Sequence, residues 1–184
     1  MKHTGTVILN TERCILRPFV LSDAPAMFQN WARDAEVTRY LTWPAHKNMQ
    51  ETEQVISEWI SRYQEPDFYQ WCIADRETQQ AIGSVAAVRV LEEIEAVETG
   101  YCLSRACWGK GLMTEVYAAV LDFFFETVQV NRVQASHDAR NPASGKVMLK
   151  CGLSYEGTRR MGARNQSGIC DIVLYGKIKT DKKQ

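Results

Sequence analysis

The hydrophobic residues in the first third of the chain change their spacing from every second position to every third or fourth. Alternation at residues 13–19 predicts a first strand. Ser22 follows as an N-cap and predicts a first helix. Asn48 and Glu51 have the spacing of a capping box and predict a second helix, after an aromatic loop at 37–46. The apolar residues with helical spacing are Ala24, Met27, Phe28 and Trp31 in the first helix and Val55, Ile56, Trp59, Ile60 and Tyr63 in the second.

The rest of the chain predicts paired strands and then strands that alternate with helices. Tyr69, Trp71 and Ile73 alternate with smaller or polar residues, and a polar turn leads into the next strand. We predict an α+β fold, a mixed, mainly antiparallel sheet of about seven strands flanked by about four helices. It forms one domain at 11–178, with a charged tail at 179–184 that frays. The later elements are strands at 81–91, 97–104, 130–137, 153–160 and 168–178 and helices at 111–127 and 142–151.

Composition and charge exclude several classes of function. The 184 residues include 22 Lys plus Arg and 22 Asp plus Glu, so no field of the whole molecule attracts nucleic acid. Any anion site must therefore be local. No apolar stretch is long enough for a signal peptide or a bilayer span, so we expect a cytoplasmic protein without a membrane partner. The six cysteines form no CxxC pair and the three histidines lie far apart, which favours reduced thiols and argues against a metal site.

A glycine-rich segment at 106–111, Ala-Cys-Trp-Gly-Lys-Gly, lies between a predicted strand and a predicted helix. Gly109 and Gly111 let the backbone approach a ligand closely, and the helix presents unpaired N–H groups and the positive end of its dipole. Such a site can hold a phosphate or a pyrophosphate. The spacing of a P-loop and the third glycine of the dinucleotide fingerprint are both missing. A plain tight turn before a helix is the alternative for this segment alone.

A second segment begins with Asn141 and Pro142 and ends with Gly152. These residues suit the N-cap, the first turn and the C′ position of a helix, so a structural role explains them. The same role does not explain Ser144 or Lys146, where a better helix former would serve equally well.

Together the two segments resemble the GNAT acetyltransferase superfamily. The loop is similar to its [Q/R]-x-x-G-x-[G/A] pyrophosphate motif at Gly109 and Gly111, and the helix is similar to its N-x-x-S helix. One position departs from the motif, because Ala106 stands where Gln or Arg is usual and Arg105 comes one position early. The resemblance is closest to the Rim-type branch, which acetylates ribosomal-protein N-termini and related amines. Further segments that match this branch in order lie at 11–18, 37–44 and 98–103.

The resemblance implies acetyl-CoA as the co-substrate and assigns residues to it. The pantetheine arm is expected beside the end of a strand, where the main chain of Leu103 and Ser104 hydrogen-bonds it. The pyrophosphate is expected on the loop and the start of the next helix. Asn141 and Ser144 are implied as further contacts. The residues implied around the pyrophosphate and its charge are Trp108, Gly109, Lys110, Gly111, Met113, Lys146 and Lys150.

The resemblance also implies that a substrate amine attacks the thioester directly, with a backbone N–H stabilising the oxyanion. Ser144 is then the proton donor to the leaving thiolate. Glu98, on the strand that flanks the acetyl group, is the predicted general base. His137, Asp138 and Glu156 are other candidates, and a salt bridge or a solvated strand end is the structural alternative for each.

The lack of a clear strong base favours an acceptor amine of low pKa. An α-amine has a pKa near ~8, so roughly a tenth is neutral at pH 7, whereas a lysine near ~10.4 needs ~3.4 kcal/mol more. We predict a protein N-terminus as acceptor, with a small first residue such as Ser or Ala, in a pocket bordered by Tyr40 and Trp43; nearby Trp31 belongs either to this pocket or to the core. A small-molecule amine and a non-catalytic acetyl-CoA-binding module are the alternatives. We expect a monomer or a homodimer.

Overall fold

The periodic segments of the sequence form strands and helices close to the predicted positions. The computed structural model describes residues 1–181. Two of the helices named below adjoin turns that are wound more tightly or more widely than an α-helix. The tight turn is Leu21–Asp23, and the wide turns are Phe28–Ala32 and Phe123–Val128. The strands are β1 (Leu9–Asn10), β2 (Cys14–Arg17), β3 (Gln70–Asp75), β4 (Ala81–Leu91), β5 (Ala96–Leu103), β6 (Arg132–Asp138), β7 (Ser154–Asn165) and β8 (Gly168–Ile178). The helices are α1 (Ala24–Met27), α2 (Ala35–Thr38), α3 (Met49–Arg62), α4 (Leu112–Asp122) and α5 (Pro142–Lys150).

The eight strands described within residues 1–181 form one sheet in the order β1-β2-β3-β4-β5-β6-β8-β7. Neighbours are antiparallel except β5 and β6, so the predicted mixed, mainly antiparallel sheet is confirmed. The parallel register ends where Thr99 faces Ala135, although both strands continue. β5 stays paired with β4 as far as Leu103, while β6 stays paired with β8. The two strands therefore diverge and open a gap at their carboxyl ends.

β3 is covered on both faces because its alternating side chains enter two separate cores. Trp71 and Ile73 pack with Tyr117 of α4 on one face. Cys72 packs on the other face with Ile56 of α3. The sheet thus lies between α1 and α3 on one side and α4 and α5 on the other, which is the predicted α+β arrangement.

The first helix begins earlier than predicted and is interrupted. Ser22 is not its N-cap, because a tight turn starts after Val20, whose N–H donates to Asp23 Oδ2 at 3.0 Å. Asp23 also pairs with Arg17, at 2.7 Å. A wide turn follows α1, and α2 then occupies the start of the predicted aromatic loop. The buried carboxylate of Asp23 takes the capping role that the sequence pattern gives to Ser22.

The second predicted helix is α3, and its predicted N-cap is confirmed. The Asn48 side chain accepts the N–H of Glu51 at 3.0 Å. The reciprocal bond is shifted by one residue, because Glu51 Oε2 accepts the N–H of Lys47 at 2.8 Å. Ile56 is fully buried on the predicted apolar face, whereas Ile60 is 39% exposed. The buried face of α3 is therefore narrower than the sequence predicts.

The ends of the chain add small features to the predicted elements. β1 is an edge strand of two residues, too short to show a period in the sequence. At the other end the N–H of Lys179 donates to Asn131 O at 2.9 Å, and residues 182–184 of the predicted tail lie outside the described residues. None of the helices within residues 1–181 combines the length and apolar composition needed to cross a membrane. The six cysteines belong to this part of the chain and are free thiols.

Candidate active site

The main chain at the end of β5 faces the gap between β5 and β6. The N–H of Ser104 donates to Ile82 O at 2.7 Å, which makes these two residues a hydrogen-bonded pair of the antiparallel ladder. Such pairs alternate with non-hydrogen-bonded pairs along the strands. The main-chain groups of Leu103 and Tyr101 consequently point away from β4 and toward the gap. An extended ligand could pair with them as a neighbouring strand would.

The glycine loop lies between this strand end and α4. Gly109 and Gly111 have φ values of 73° and 75°, in the left-handed region that glycine adopts without strain. A Cβ at Gly109 would meet nothing within 4 Å, so the loop borders open space there. Gly111 is the N-cap of α4, whose first N–H groups have no partner inside the helix. These N–H groups and the helix dipole favour an anion at this place.

Two side chains hold the glycine loop to the sheet: Trp108, within the loop, and Arg13, which precedes β2. Trp108 Nε1 donates to Leu103 O at 2.8 Å. Arg13 Nη1 donates to Lys110 O at 3.0 Å, and Arg13 Nε donates to Glu115 Oε2 at 2.7 Å. The loop is therefore preformed, with one end tied to β5 and the other tied to the residue before β2.

A cavity of about 450 Å³, here called the loop cavity, extends from the glycine loop to α5. Two of the residues predicted to contact the cofactor do not line it. Ser104 is buried, its N–H bonds Ile82 O and its carbonyl accepts from Cys107, so its main chain is used by the fold. Lys110 is exposed and lies beside the cavity in the loop. The predicted residues that do line it are Leu103, Trp108, Gly109, Gly111, Met113, Asn141, Ser144, Lys146 and Lys150.

A second cavity of about 520 Å³ lies on the α3 side of the gap. We call it the aromatic cavity, after the rings of Tyr40, Trp43, His46 and Trp59 in its wall. It shares wall residues with the loop cavity, so the two spaces meet. The shared residues are Tyr40, Leu41, Tyr101, Cys102, Asn141 and Ser144.

Two hydroxyl groups hold each other at this junction. Ser144 Oγ donates to the Tyr101 hydroxyl at 3.1 Å, and the Tyr101 hydroxyl donates to the main-chain oxygen of Ser144 at 3.0 Å. Burial raises the pKa of Tyr101, so its hydroxyl stays protonated at neutral pH. The junction thus contains two neutral hydroxyl groups that can donate hydrogen bonds.

Comparison with known proteins decides the family. A sequence profile described as "Acetyltransferase (GNAT) domain" matches residues 13–154, a range that includes the glycine loop, β5, β6 and α5. The chain belongs to the GNAT acetyltransferase family. Its curated relatives include the uncharacterized N-acetyltransferase YoaA of Bacillus subtilis (strain 168). The two chains are 31% identical over 175 residues, which cover 94% of this chain and 97% of YoaA.

Solved GNAT structures share the whole fold of this acetyltransferase. The ribosomal-protein-S5-alanine acetyltransferase of Vibrio fischeri has a TM-score of 0.84 at 21% identity and covers 97% of this chain and 100% of its own. RimL, a ribosomal L7/L12 alpha-N-protein acetyltransferase solved with coenzyme A, has a TM-score of 0.84 at 19% identity, covering 95% and 100%. At these identities the likeness shows the fold, and the predicted GNAT fold is confirmed.

This GNAT enzyme uses acetyl-CoA as co-substrate, as the sequence resemblance implied. The geometry of the site fits that molecule independently of the resemblance. The loop cavity offers outward-facing strand amides for an extended chain, and a left-handed glycine with open space beside it for a pyrophosphate.

The candidate general bases of this acetyltransferase separate by position. Glu98 lines the aromatic cavity, where Gln134 Nε2 donates to its Oε2 at 3.3 Å and Arg89 lies at 3.6 Å. Glu156 instead accepts from Arg132 Nη1 at 2.7 Å on β7, outside both cavities. The predicted salt-bridge alternative therefore describes Glu156, while Glu98 remains at the cavity.

His137 and Asp138 end β6 beside the aromatic cavity. Arg140 binds the Asp138 carboxylate through two bonds and holds its pKa well below the usual range, so Asp138 is a poor base. His137 Nδ1 donates to the main-chain oxygen of Asp138 at 2.7 Å. Its Nε2 is buried against Gly145 and has no hydrogen-bond partner within the described part of the chain. Because this nitrogen is buried against α5, it is not exposed to an amine in the cavity, and Glu98 remains the better placed candidate base.

The predicted pocket residues Tyr40 and Trp43 both lie in the wall of the aromatic cavity. Their loop is held by the β7–β8 turn, where Ser167 Oγ donates to Arg39 O at 3.0 Å. Trp31 is fully buried in the core and does not reach the cavity. The sequence left Trp31 either in the pocket or in the core, and the structure places it in the core.

Sequence reasoning missed two contributors to this site. Tyr101 alternates with Thr99 and Leu103 on β5, a pattern typical of core residues, and only the fold brings it to Ser144. Trp59 lies on the apolar stripe of α3, where packing explains it equally well. No local spacing distinguishes either residue from its structural neighbours.

Proposed function

We propose that this acetyltransferase acetylates the α-amine of a protein N-terminus by direct attack on acetyl-CoA. The meeting of the loop cavity and the aromatic cavity at Tyr101 and Ser144 carries the proposal. One cavity fits the co-substrate, and the other leaves room for an amine beside the acetyl group. Cys102 lies in the same wall, but burial raises the pKa of its thiol, so it is a poor nucleophile for a covalent acetyl intermediate.

In this proposal acetyl-CoA extends along β5 and around the glycine loop. The outward N–H of Leu103 and the outward main-chain groups of Tyr101 pair with the pantetheine amides, while the Leu103 carbonyl accepts from Trp108. Gly109, Gly111 and the start of α4 hold the pyrophosphate. Lys146 and Lys150 lie one turn apart on α5, are exposed, and add positive charge that the neutral chain as a whole lacks.

The reaction proceeds by nucleophilic addition and elimination at the thioester carbonyl. The neutral amine forms a C–N bond, and the carbonyl oxygen becomes an oxyanion stabilised by an outward main-chain N–H of β5. The nitrogen then loses its extra proton to Glu98 or to water, the C–S bond breaks, and Ser144 Oγ donates its proton to the departing thiolate. The Ser144 hydroxyl, which is hydrogen-bonded to Tyr101 before the reaction, turns toward the sulfur for this step and regains a proton from water afterwards. The amide product and coenzyme A leave.

The acceptor must lose a proton before it attacks, and this step favours an α-amine. Glu98 is the group proposed to take that proton, directly or through water. Its Oε2 accepts from Gln134 Nε2 and lies 3.6 Å from Arg89. An α-amine needs little help at neutral pH, whereas a lysine carries a penalty of ~3.4 kcal/mol, about 300-fold in rate.

The structural neighbours support a protein N-terminus as the acceptor. The Vibrio fischeri neighbour is described as acting on an alanine of ribosomal protein S5, and RimL as an alpha-N-protein acetyltransferase of L7/L12. Both have the fold of this chain over nearly its full length. A small-molecule amine is the second candidate, favoured by the aromatic cavity of about 520 Å³.

Paired peptides test the proposal. One peptide carries a free N-terminus and no lysine, and its partner carries a blocked N-terminus and one internal lysine. Mass spectrometry after incubation with acetyl-CoA should show faster acetylation of the first, by up to about 300-fold at neutral pH. Preferential lysine acetylation, or turnover of small amines alone, would overturn the N-terminal acceptor and leave the acetyltransferase activity in place.

A further inference from the structure

The aromatic cavity is much larger than a small first residue requires. It measures about 520 Å³, more than three times the roughly 150 Å³ of an engineered apolar cavity that binds benzene. An Ala or Ser side chain at the junction would leave most of this volume to water against aromatic walls. The size of the cavity therefore indicates a bulkier acceptor than the sequence resemblance suggests.

The aromatic wall is fixed by contacts that do not depend on a ligand. The rings of Trp43 and His46 are 5.4 Å apart, and His46 Nδ1 lies 2.8 Å from Oγ1 of the fully buried Thr52. Trp59 packs on Phe19 with ring centroids 4.9 Å apart. Burial lowers the pKa of His46, so its ring adds no charge to the wall at neutral pH. A wall held in this way can bind an apolar group without being ordered first.

Several polar side chains in the same cavity are already paired within the protein. Each has a hydrogen-bond partner that satisfies it without a ligand, so an acceptor gains little from charge or hydrogen bonds there. The rest of the wall also includes polar side chains, among them Gln70, Ser136 and His137, but it is mainly aromatic and aliphatic. The pairs are Glu98 with Gln134, Asp138 with Arg140, and Thr99 with Tyr117.

We infer that the acceptor carries a large apolar group, aromatic or aliphatic, next to its reacting amine. This inference rests on the proposed acetyl transfer and specifies its substrate class. The amine lies at the junction of the cavities near Tyr101 and Ser144, and the apolar group fills the space toward Trp59 and Trp43. For a protein acceptor, this means a first residue such as Phe or Leu in place of Ala or Ser.

Two matched pairs of amines test the inference. The first pair consists of lysine-free peptides that differ only in Phe or Ala at the first position. The second pair is hexylamine and ethylamine, whose ammonium groups have similar pKa values. We expect kcat/KM to be at least about tenfold higher for the larger member of each reactive pair, because one methylene in an apolar pocket changes it 10- to 200-fold.

Two variants test whether the preference for the larger acceptor arises in the aromatic cavity. Trp59→Ala should reduce the Phe/Ala ratio toward one by slowing the Phe peptide, with unchanged acetyl-CoA affinity. Ile60→Ala, on the exposed side of the same helix, should leave the ratio unchanged. If Trp59→Ala does not fold, Ala86→Leu narrows the cavity from β4 and should slow the Phe peptide selectively.

The outcomes separate this inference from the function on which it rests. Turnover of hexylamine over ethylamine without peptide turnover supports the inference and contradicts a protein acceptor. Peptide turnover with equal kcat/KM for Phe and Ala overturns the inference and leaves the proposed function standing. Equal slowing of both peptides by Trp59→Ala, or by Ala86→Leu in its place, would also overturn it.

Discussion

Ser144 and Tyr101 form a pair of side chains that holds a hydroxyl group from the start of α5 at the junction of the two cavities. Ser144 lies in the first turn of α5, where its hydroxyl could have bonded only to the backbone. The hydroxyl of Tyr101, on β5, accepts a hydrogen bond from Ser144 Oγ at 3.1 Å and donates one to the Ser144 carbonyl oxygen. The serine hydroxyl is thereby oriented at the junction of the cavities before any substrate arrives.

Ser144→Ala is expected to lower kcat by roughly 100-fold, the lower end of the range for general acid catalysis. A proton donor to the thiolate acts in the transition state, so the acetyl-CoA affinity should change little. Steady-state kinetics and calorimetric titration measure the two quantities. Ser61→Ala, on the exposed surface of α3, serves as the control. An unchanged kcat would contradict a catalytic role for Ser144 and leave it only a structural role in the first turn of α5.

Gly109→Asp is expected to abolish acetyl-CoA binding, which should lie in the micromolar range for the wild-type chain. The substitution places a Cβ and a negative charge where the pyrophosphate is proposed to lie, and we expect at least a 100-fold loss, about 2.7 kcal/mol. Gly157→Asp is the matched control, because Gly157 also has a positive φ and open space but lies on β7. Undiminished titration by a folded Gly109→Asp protein would contradict the proposed pyrophosphate site.

The residues of the loop were predictable, whereas at the junction Ser144 was predicted and its partner Tyr101 was not. Gly109 and Gly111 have a local reason to be glycine, which the sequence displays as a turn before a helix. Tyr101 has no such signal, because its partner is 43 positions away and only the fold joins them. The Ser104 prediction placed the outward main-chain groups one residue too far along β5, since the ladder phase was not visible in the sequence.

Asp138 joins three elements at the edge of the aromatic cavity. It ends β6, its carboxylate receives two bonds from Arg140, and Asn165 Nδ2 donates to it from the end of β7 at 2.7 Å. The Arg140 guanidinium in turn lies 6.0 Å from the ring of Tyr40. The carboxylate thus connects the end of a strand, the β7–β8 hairpin and the loop that carries Tyr40.

Asp138→Asn is expected to lower the free energy of unfolding at pH 7 by about 1–2 kcal/mol, because the buried carboxylate loses its charge-assisted hydrogen bonds while the half-exposed Arg140 keeps access to water. The folded-state pKa of Asp138 is depressed, so its contribution is complete above an unfolded pKa near ~3.9 and is lost as the pH falls below it. Urea unfolding of both proteins at pH 7 and at pH 3 measures the difference. Asp67→Asn, at an exposed turn, is the control. A difference in unfolding free energy between the wild type and Asp138→Asn that was as large at pH 3 as at pH 7 would contradict this account.

Among the elements, strands and long helices were predicted better than the segment between β2 and α3. The cap residues Asn141, Pro142 and Gly152 gave α5 nearly its observed ends, and β8 lies at its predicted position. The segment from Leu21 to Thr38 instead breaks into short turns and helices, where Asp23 and Asp34 take the capping roles. Wide turns such as Phe28–Ala32 keep the apolar spacing of a helix, so the sequence pattern does not reveal them.

For the whole molecule, the order of elements carried more information than composition did. The 22 positive and 22 negative residues excluded a strong long-range field but said nothing about a local site. The change from paired strands to alternating strands and helices predicted the mixed sheet. It could not predict that β5 and β6 diverge after Thr99 and Ala135, and this divergence creates both cavities. The size of the aromatic cavity depends on how α3 packs, which no local pattern specifies.

The central claim is that an amine in the aromatic cavity attacks acetyl-CoA held in the loop cavity. The most direct measurement follows thiol release from acetyl-CoA and, in the same samples, the mass of a lysine-free peptide with a free N-terminus. The account predicts one released thiol for each acetyl group on the α-amine, with both signals reduced together by Ser144→Ala. Thiol release that does not depend on the peptide, or tight acetyl-CoA binding with no acetyl transfer to any amine, would contradict it.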